Sequence, residues 1–195
     1  MAFFRLRADK AFNLKENTYR LEADVTPFFV YRKYDGNVTA QGTWAYDEGV
    51  KSFGVSGGSF VNWHRDHYKQ GVKRNAETGK RFKRITRILK NVKFDMIKSG
   101  TPQAKTLAEQ IPSFLVECLV FNAEDTSFNR STDGYVQDVR SVIADLWEKT
   151  KPEGEAWKNM VEVNWRKWLF RSGQAWKVET AHAFLIEAWG HLFYE

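Results

Sequence analysis

The sequence of 195 residues contains a single cysteine, Cys118, only four prolines and no long apolar run. One cysteine cannot form an internal disulfide, so a reducing, cytoplasmic location is expected. A membrane-spanning helix needs roughly 18 consecutive apolar residues, and the longest candidate, residues 114–121, is short and interrupted by Glu117. Residues 1–7 lack the apolar core of a signal peptide. We therefore expect neither a disulfide-rich secreted domain nor a membrane protein.

The composition is that of a folding, globular chain, with 43% hydrophobic, 15% aromatic and 28% charged residues. The net charge of +6 is distributed unevenly. Residues 64–98 carry twelve Lys or Arg against three Asp or Glu, so the excess positive charge lies in this one segment. Such a concentration predicts a polyanionic ligand, with a merely solvated helix face as the alternative.

An alternation of apolar and polar residues predicts β-strands in the first third of the chain. It runs from Tyr19 to Tyr46 and is interrupted at Pro27. The Asp-Gly pair at residues 35–36 lies between two strand-like runs and predicts a hairpin turn over residues 34–37.

Beyond residue 64 the apolar period lengthens to that of α-helices. Apolar residues recur at steps of three and four from Phe82 to Met96, which predicts an amphipathic helix through Lys98. Pro112 starts a new helix or kinks one. The overall prediction is an α+β protein, with a small antiparallel sheet in residues 1–63 and a helical domain in residues 64–195. The further helices are expected over residues 104–122, 134–149, 157–171 and 178–194.

Asp24 is the first candidate functional residue. It shares the polar face of its predicted strand with Glu22. Neighbouring carboxylates suit a divalent metal, because hard cations bind several carboxylate oxygens at close range. A solvated strand face is the alternative explanation of the same pattern.

A cationic face is predicted on the helix that ends at Lys98. So many like charges repel one another unless an anion or carboxylates lie between them. Phosphates are the natural anion, and both free nucleotides and nucleic acid would fit. The residues of this face are Lys80, Lys83, Arg84, Arg87 and Lys90.

Ser113 and Phe114 follow Pro112 at the start of another predicted helix. A hydroxyl and a ring at this place would suit a phosphate and a base, since helix N-termini favour anions. The alternative is a proline-initiated helix with Phe114 in the core.

Several other residues are predicted to be structural. His64 and His67 supply too little for a zinc site, and Cys118 is expected to be inert packing in an apolar helix. The tryptophans of the C-terminal half are predicted to pack between helices, with base stacking as the alternative. These are Trp147, Trp157, Trp165, Trp168, Trp176 and Trp189.

Four segments, taken in order, resemble the cGAS/DncV-like nucleotidyltransferases (CD-NTases), which share the DNA polymerase β-like core. The resemblance covers roughly residues 10–122, and the helical remainder resembles the family's C-terminal region more loosely. It implies a partial nucleotidyltransferase core followed by a helical bundle. The four segments are Asn17 to Pro27, Val61 to Gly71, Thr78 to Lys90, and Ile111 to Glu117.

The resemblance also implies a function and residue roles. The family joins nucleoside triphosphates, with Mg²⁺ or Mn²⁺, into cyclic or linear oligonucleotide second messengers for antiphage defence. Asp24 matches the third catalytic carboxylate, a metal ligand that helps to activate the attacking hydroxyl. Lys83 resembles the lysine that contacts the triphosphate, and Arg87 is the other phosphate-binding candidate. Ser113 resembles a phosphate-contacting serine, with Phe114 near the base. Asp24 and the cationic helix are expected to face one cleft shaped for polyphosphate.

The sequence departs from the family's pattern in one respect that decides the expected activity. The family places Gly-Ser and an Asp-x-Asp or Glu-x-Asp pair upstream of the strand that carries the third carboxylate. Here Asp9 is the sole acidic residue before Glu16, and Gly58-Ser59 leads to no such pair. We therefore expect the C-terminal two-thirds of an enzyme, inactive or nearly so alone, whose site an N-terminal fragment or another chain completes.

Two other functions compete with this one. The first is a non-catalytic module that binds nucleotide, RNA or DNA through the basic helix over residues 80–98, although nucleic acid is less favoured as a partner than nucleoside triphosphates. The second is a structural remnant whose basic face is only solvated. Salt-sensitive binding of nucleic acid without preference for triphosphates would favour the first.

Overall fold

The fold is described from a computed structural model of the chain. The structure describes residues 4–8, 11–14, 23–54, 57–129, 132 and 134–193, with the backbone alone before Val25. Two compact units can be distinguished, residues 1–65 and residues 66–195. Each unit is described separately below. The predicted domain boundary after Trp63 stays a prediction.

The first unit contains two antiparallel sheets of three strands, in the orders β1-β2-β3 and β4-β5-β6. Asp24 lies on β3, where its backbone is opposite Asn13 of β2. The part of the predicted strand from Tyr19 to Glu22 falls outside the described residues. The strands are β1 (Phe4–Ala8), β2 (Ala11–Leu14), β3 (Ala23–Val25), β4 (Phe29–Val38), β5 (Trp44–Phe53) and β6 (Ser59–Asn62).

The hairpin turn predicted over residues 34–37 is wrong in position. Strand β4 continues through Asp35 and Gly36, where its pairing with β5 is irregular. The chain reverses later, at a three-residue turn in which Gly42 N–H donates to Thr39 O at 2.9 Å. Gly42 adopts a positive φ of 76°, as the third residue of such a turn must. The Asp-Gly pair forms a bulge because Gly36 also tolerates a positive φ, of 85°.

The second unit is helical. The sequence predicts a helical segment over residues 104–122 that Pro112 either restarts or kinks. In the structure Pro112 separates two helices, because its ring cannot continue a helix. The α-helices are α1 (His64–Glu77, which begins two residues before the unit), α2 (Arg81–Ser99), α3 (Pro102–Gln110), α4 (Ser113–Phe121), α5 (Val136–Lys149) and α6 (Val178–Phe193). Two short 3₁₀ helices lie at Asp125–Ser127 and Ala156–Asn159.

Helix α4 lies at the centre of this unit, because it is apolar almost all round and such a helix must be buried. Leu115 and Leu119 are fully buried, and Cys118 is buried beside them. Burial raises the pKa of the Cys118 thiol, so the thiolate is disfavoured. Helix α2 packs on this core through its apolar stripe, which includes Ile85 and Leu89.

The helix predicted over residues 157–171 is wrong. After the 3₁₀ helix the chain forms a hairpin, with an antiparallel bridge between Val161 and Trp168. Its buried residues Glu162 and Asn164 bond to each other at 2.7 Å. A local bond of this kind competes with helix formation, which apolar periodicity alone does not register.

The architecture confirms the predicted α+β class: antiparallel strands come first and helices follow. Among the described residues, no helix combines the length and apolar character required to cross a bilayer.

Candidate functional site

The predicted cationic face lies on α2, except for Lys80, which precedes the helix. Lys83, Arg84 and Arg87 are exposed, and Lys90 is half-buried. The first turn of the helix is fixed by residues that precede it, because Asn75 Oδ1 accepts a hydrogen bond from Lys83 N–H at 3.1 Å. The helix therefore presents a row of cations opposite its buried apolar stripe.

The N-terminus of α4 carries Ser113 and Phe114, as predicted. Pro112 precedes the helix and gives it no side-chain cap. The first backbone N–H groups of a helix have no intrahelical acceptor, and they favour an anion. Ser113 is half-buried and Phe114 is 37% exposed. Phe114 is thus not a core residue.

Glu117, one turn further along α4, connects this helix to α2 and α1. Its Oε2 accepts a hydrogen bond from Lys90 Nζ at 2.8 Å, and its Oε1 lies 3.2 Å from His67 Nε2. The hydrogen bond with His67, followed by the interactions with Lys90, lowers the pKa of Glu117 to about 2 despite partial burial. Glu117 is therefore ionised at neutral pH, and His67 Nε2 donates to it.

An aromatic row lies beside this ion cluster. The imidazole of His67 stacks on Phe114, with ring centroids 5.7 Å apart and an angle of 27° between the planes. Phe114 also contacts Trp176, with centroids 5.9 Å apart. The indole of Trp176 is held in place by a hydrogen bond from Nε1 to Leu169 O at 2.8 Å. These ring contacts hold the side chain of Phe114 at the N-terminus of α4.

A cavity of about 210 Å³ lies beside this ion cluster. Lys83, His67 and Glu117 all line it. The structure therefore brings Lys83 together with two members of the ion cluster. Lys90, Ser113, Phe114 and Arg87 do not line this cavity.

Asp24 lies in the other unit, and its side chain is not part of the described structure. The expectation that Asp24 and the cations of α2 face one cleft stays a prediction. Within the described residues, no group of three or more His, Cys, Asp or Glu side chains is arranged to hold a metal ion.

The contact between His67, Lys90 and Glu117 is not predicted from the sequence. From the sequence, His67 is only an inadequate zinc ligand, Lys90 is one cation of the cationic face, and Glu117 has no assigned role. The available signal was Glu117 itself, a carboxylate within an otherwise apolar helix. Such a group is costly to bury unless a cation accompanies it.

Cations lie beside an uncapped helix N-terminus, with a half-exposed ring next to them, an arrangement that suits the class of protein that binds phosphorylated, base-containing ligands. Comparison with protein families agrees with this class. Residues 69–193 match the model of the cGAS/DncV-like nucleotidyltransferase C-terminal helical domain. The chain belongs to the cGAS/DncV-like nucleotidyltransferase family. The family resemblance stated from the sequence is thereby confirmed.

Curated relatives extend the similarity to most of the chain. A cyclic dipyrimidine nucleotide synthase, CdnE, of Cecembia lonarensis is 32% identical over 188 residues, which is 96% of this chain and 59% of the relative. The synthase of the same name from Legionella pneumophila is 34% identical over 189 residues, 95% of this chain and 58% of the relative. The chain thus spans somewhat more than half the length of these relatives.

Two solved structures share the fold. The CdnE cyclic dinucleotide synthase of Elizabethkingia meningoseptica, with GTP and Apcpp, has a TM-score of 0.79 and 29% identity, and the match covers 98% of this chain and 65% of that one. The c-UMP-AMP synthase of Rhodothermus marinus, with Apcpp and Upnpp, has a TM-score of 0.75 and 29% identity, covering 96% and 58%. These similarities favour a nucleotidyltransferase over the alternative of a non-catalytic nucleic-acid module.

Proposed function

We propose that this chain is the part of a cyclic oligonucleotide synthase that holds the triphosphate of a nucleoside triphosphate. The observation that carries the proposal is the ion cluster of Glu117, Lys90 and His67, which joins α2 to the uncapped helix that begins at Ser113. The nucleotides named with the Elizabethkingia meningoseptica and Rhodothermus marinus structures support triphosphates as the ligand.

The chemistry of such a site is positioning and charge neutralisation. Nucleotidyl transfer gains little from covalent catalysis by the protein and much from cations around the phosphates. We assign Lys83 and Lys90 to the phosphates, together with the Ser113 hydroxyl and the first N–H groups of α4. Phe114 would then lie against the base. Glu117 holds Lys90 in place and is not itself a phosphate ligand.

Catalysis needs more than these residues supply. A two-metal site is built from several carboxylates, and the candidate that this chain offers is Asp24. We propose that Asp24 contributes to an Mg²⁺ or Mn²⁺ site completed by carboxylates from another segment, and that the 195 residues alone make no product. We also propose, from the family, that the product acts in antiphage defence. The cytoplasmic location stays a prediction.

The proposed function predicts that affinity depends on the number of phosphates. In calorimetric titrations of the 195-residue chain at low salt, ATP should bind at least about tenfold more tightly than AMP, since each added phosphate brings charge to the lysines. Adding salt should weaken ATP more than AMP, because the extra contacts are ionic. Equal affinities for ATP and AMP that Lys90→Ala lowers to the same extent would contradict the assignment.

A further inference from the structure

A second recess lies in the helical unit. It has a volume of about 710 Å³, which is within the range of small-molecule sites in proteins. One wall is α1, with Lys73 and Glu77, and the other is the hairpin of residues 161–168. The residues of the triphosphate site, Lys83, Lys90 and Ser113, do not line it.

Two tryptophans of the hairpin are exposed where they border this recess. Trp165 is 64% exposed and Trp168 is 44% exposed. The prediction that these indoles pack between helices is wrong for both. Surface indoles of this size are typical of binding sites, where a large rigid ring contacts a partner at low entropic cost.

Trp165 occupies a backbone conformation that side chains disfavour. Its N–H donates to Glu162 O at 2.9 Å, and its φ is 58°. The turn between β4 and β5 has Gly42 at the equivalent place, with its N–H bonded to Thr39 O and a φ of 76°. Glycine suits such a position, so the tryptophan lies there against the local backbone preference.

The hairpin is rigid beneath its exposed tip. Glu162 and Asn164 are only 4% and 6% exposed, and both oxygens of Glu162 accept amide hydrogen bonds, one from Asn164 and one from Gln174. The base of the hairpin is tied to the end of α4, since Asn122 bonds to Val161 N–H and C=O at 3.0 and 2.7 Å. The backbone that carries Trp165 is therefore held in place before any ligand arrives.

The charged side chains around the recess restrict how many phosphates a ligand can carry. Lys73 and Lys167 are exposed on opposite walls, which suits a phosphate. The carboxylates that line the recess, however, each have a cationic partner, so little positive charge is left for a polyphosphate. These pairs are Asp125 with Arg74, Glu124 with Lys149, and Glu77 with Lys73. The pair of Glu77 with Lys73 is the longest, at 3.8 Å between two exposed side chains, and a surface pair of this kind is weak, so Lys73 can still contact a phosphate.

We propose that this recess is a second nucleotide site, in which a base stacks on Trp165 and a single phosphate lies near Lys73 and Lys167. Exposed aromatic rings interleaved with cations are the common means by which proteins bind unpaired nucleotides. The ligand is a nucleoside monophosphate, either free or as one unit of a single-stranded oligonucleotide. The proposal is independent of the triphosphate site, because no residue is shared.

The test is a titration of the full 195-residue chain with AMP, with the tetranucleotide rA4 and with ribose 5-phosphate. Trp165→Gly removes the indole and fits the backbone, so its thermal midpoint should be no lower than that of the wild type. It should weaken AMP and rA4 by about 5- to 100-fold, and Trp165→Phe should restore most of the affinity. Trp44→Ala, which removes an exposed indole of the other unit, should leave both unchanged.

The outcomes separate the two sites and the two sources of nucleotide. ATP affinity should fall in Lys90→Ala whether or not Trp165→Gly changes the affinity for AMP. A failure of the proposed triphosphate site is therefore distinguishable from a failure of the proposed second site. Tighter binding of rA4 than of AMP identifies a strand, and equal binding identifies a free nucleotide. The proposal is overturned if Trp165→Gly binds AMP and rA4 like the wild type, if ribose 5-phosphate binds as well as AMP, or if the thermal midpoint of Trp165→Gly falls by several degrees.

Discussion

Mixing this chain with the N-terminal remainder of the Cecembia lonarensis relative is expected to start oligonucleotide synthesis that neither piece performs alone. The relative is longer than the matched region, and the family resemblance places Gly-Ser and two carboxylates in that remainder. The physical reason is charge: one carboxylate holds a divalent cation poorly, whereas several hold it at the reacting phosphate. The assay is chromatography of products after incubation with Mg²⁺ or Mn²⁺ and all four nucleoside triphosphates.

The role of Asp24 is tested in the same mixture. Asp24→Asn keeps the shape of the side chain but removes its charge, and it should reduce product below detection, since metal-bound phosphates need an anionic ligand on the protein. Asp35→Asn, which removes the charge of an exposed carboxylate on β4 of the same unit, is the matched control and should stay active. A covalent fusion of the two pieces repeats the assay without relying on their association. Product from the 195 residues alone, or an active Asp24→Asn fusion, would refute this part of the proposal.

Replacing Lys90 with alanine should weaken ATP binding by about 10- to 100-fold. A hydrogen bond between charged groups contributes about 1.5–3 kcal/mol, which corresponds to this range of affinities. The loss of ATP affinity is larger because Lys90 also neutralises Glu117, whose Oε2 lies 2.8 Å from Lys90 Nζ. Without the lysine, the Glu117 carboxylate, which still lies 3.2 Å from His67 Nε2, would repel the phosphates.

The matched control for Lys90→Ala is Lys98→Ala. Lys98 is an exposed lysine in the last turn of the same helix, so this variant loses the same formal charge away from α4. Isothermal calorimetry should find its ATP affinity within about twofold of the wild type, as screening makes distant surface charges weak. Equal losses in both variants would mean that ATP responds to net charge alone and would contradict a built site.

Sequence periodicity predicted the parts of the fold whose burial pattern is regular. Helix α2 follows directly from its apolar stripe, and the break at Pro112 follows from the geometry of proline. Periodicity failed where local polar bonds decide the conformation. The hairpin of residues 161–168 has enough apolar residues to suggest a helix, but Glu162 and Asn164 bond to each other in its place.

The candidate site was predictable only in part, for a related reason. Ser113 and Phe114 could be placed from a proline at a helix start, and Lys83 from the cationic face of α2. The link between them could not, because His67, Lys90 and Glu117 come from three helices and meet only after packing. Sequence spacing carries information about neighbours on one helix and none about which helix lies opposite.

The most direct test of the triphosphate site is amide hydrogen exchange of the 195-residue chain with and without ATP. The backbone amides of Ser113, Phe114 and Leu115 should exchange more slowly with ATP present, because these first N–H groups of α4 have no intrahelical acceptor and phosphate would supply one. The Val116 N–H, which already donates to Pro112 O at 3.3 Å, should change less. The first three amides should lose this protection in Lys90→Ala. Unchanged exchange at the start of α4 at saturating ATP would contradict the site.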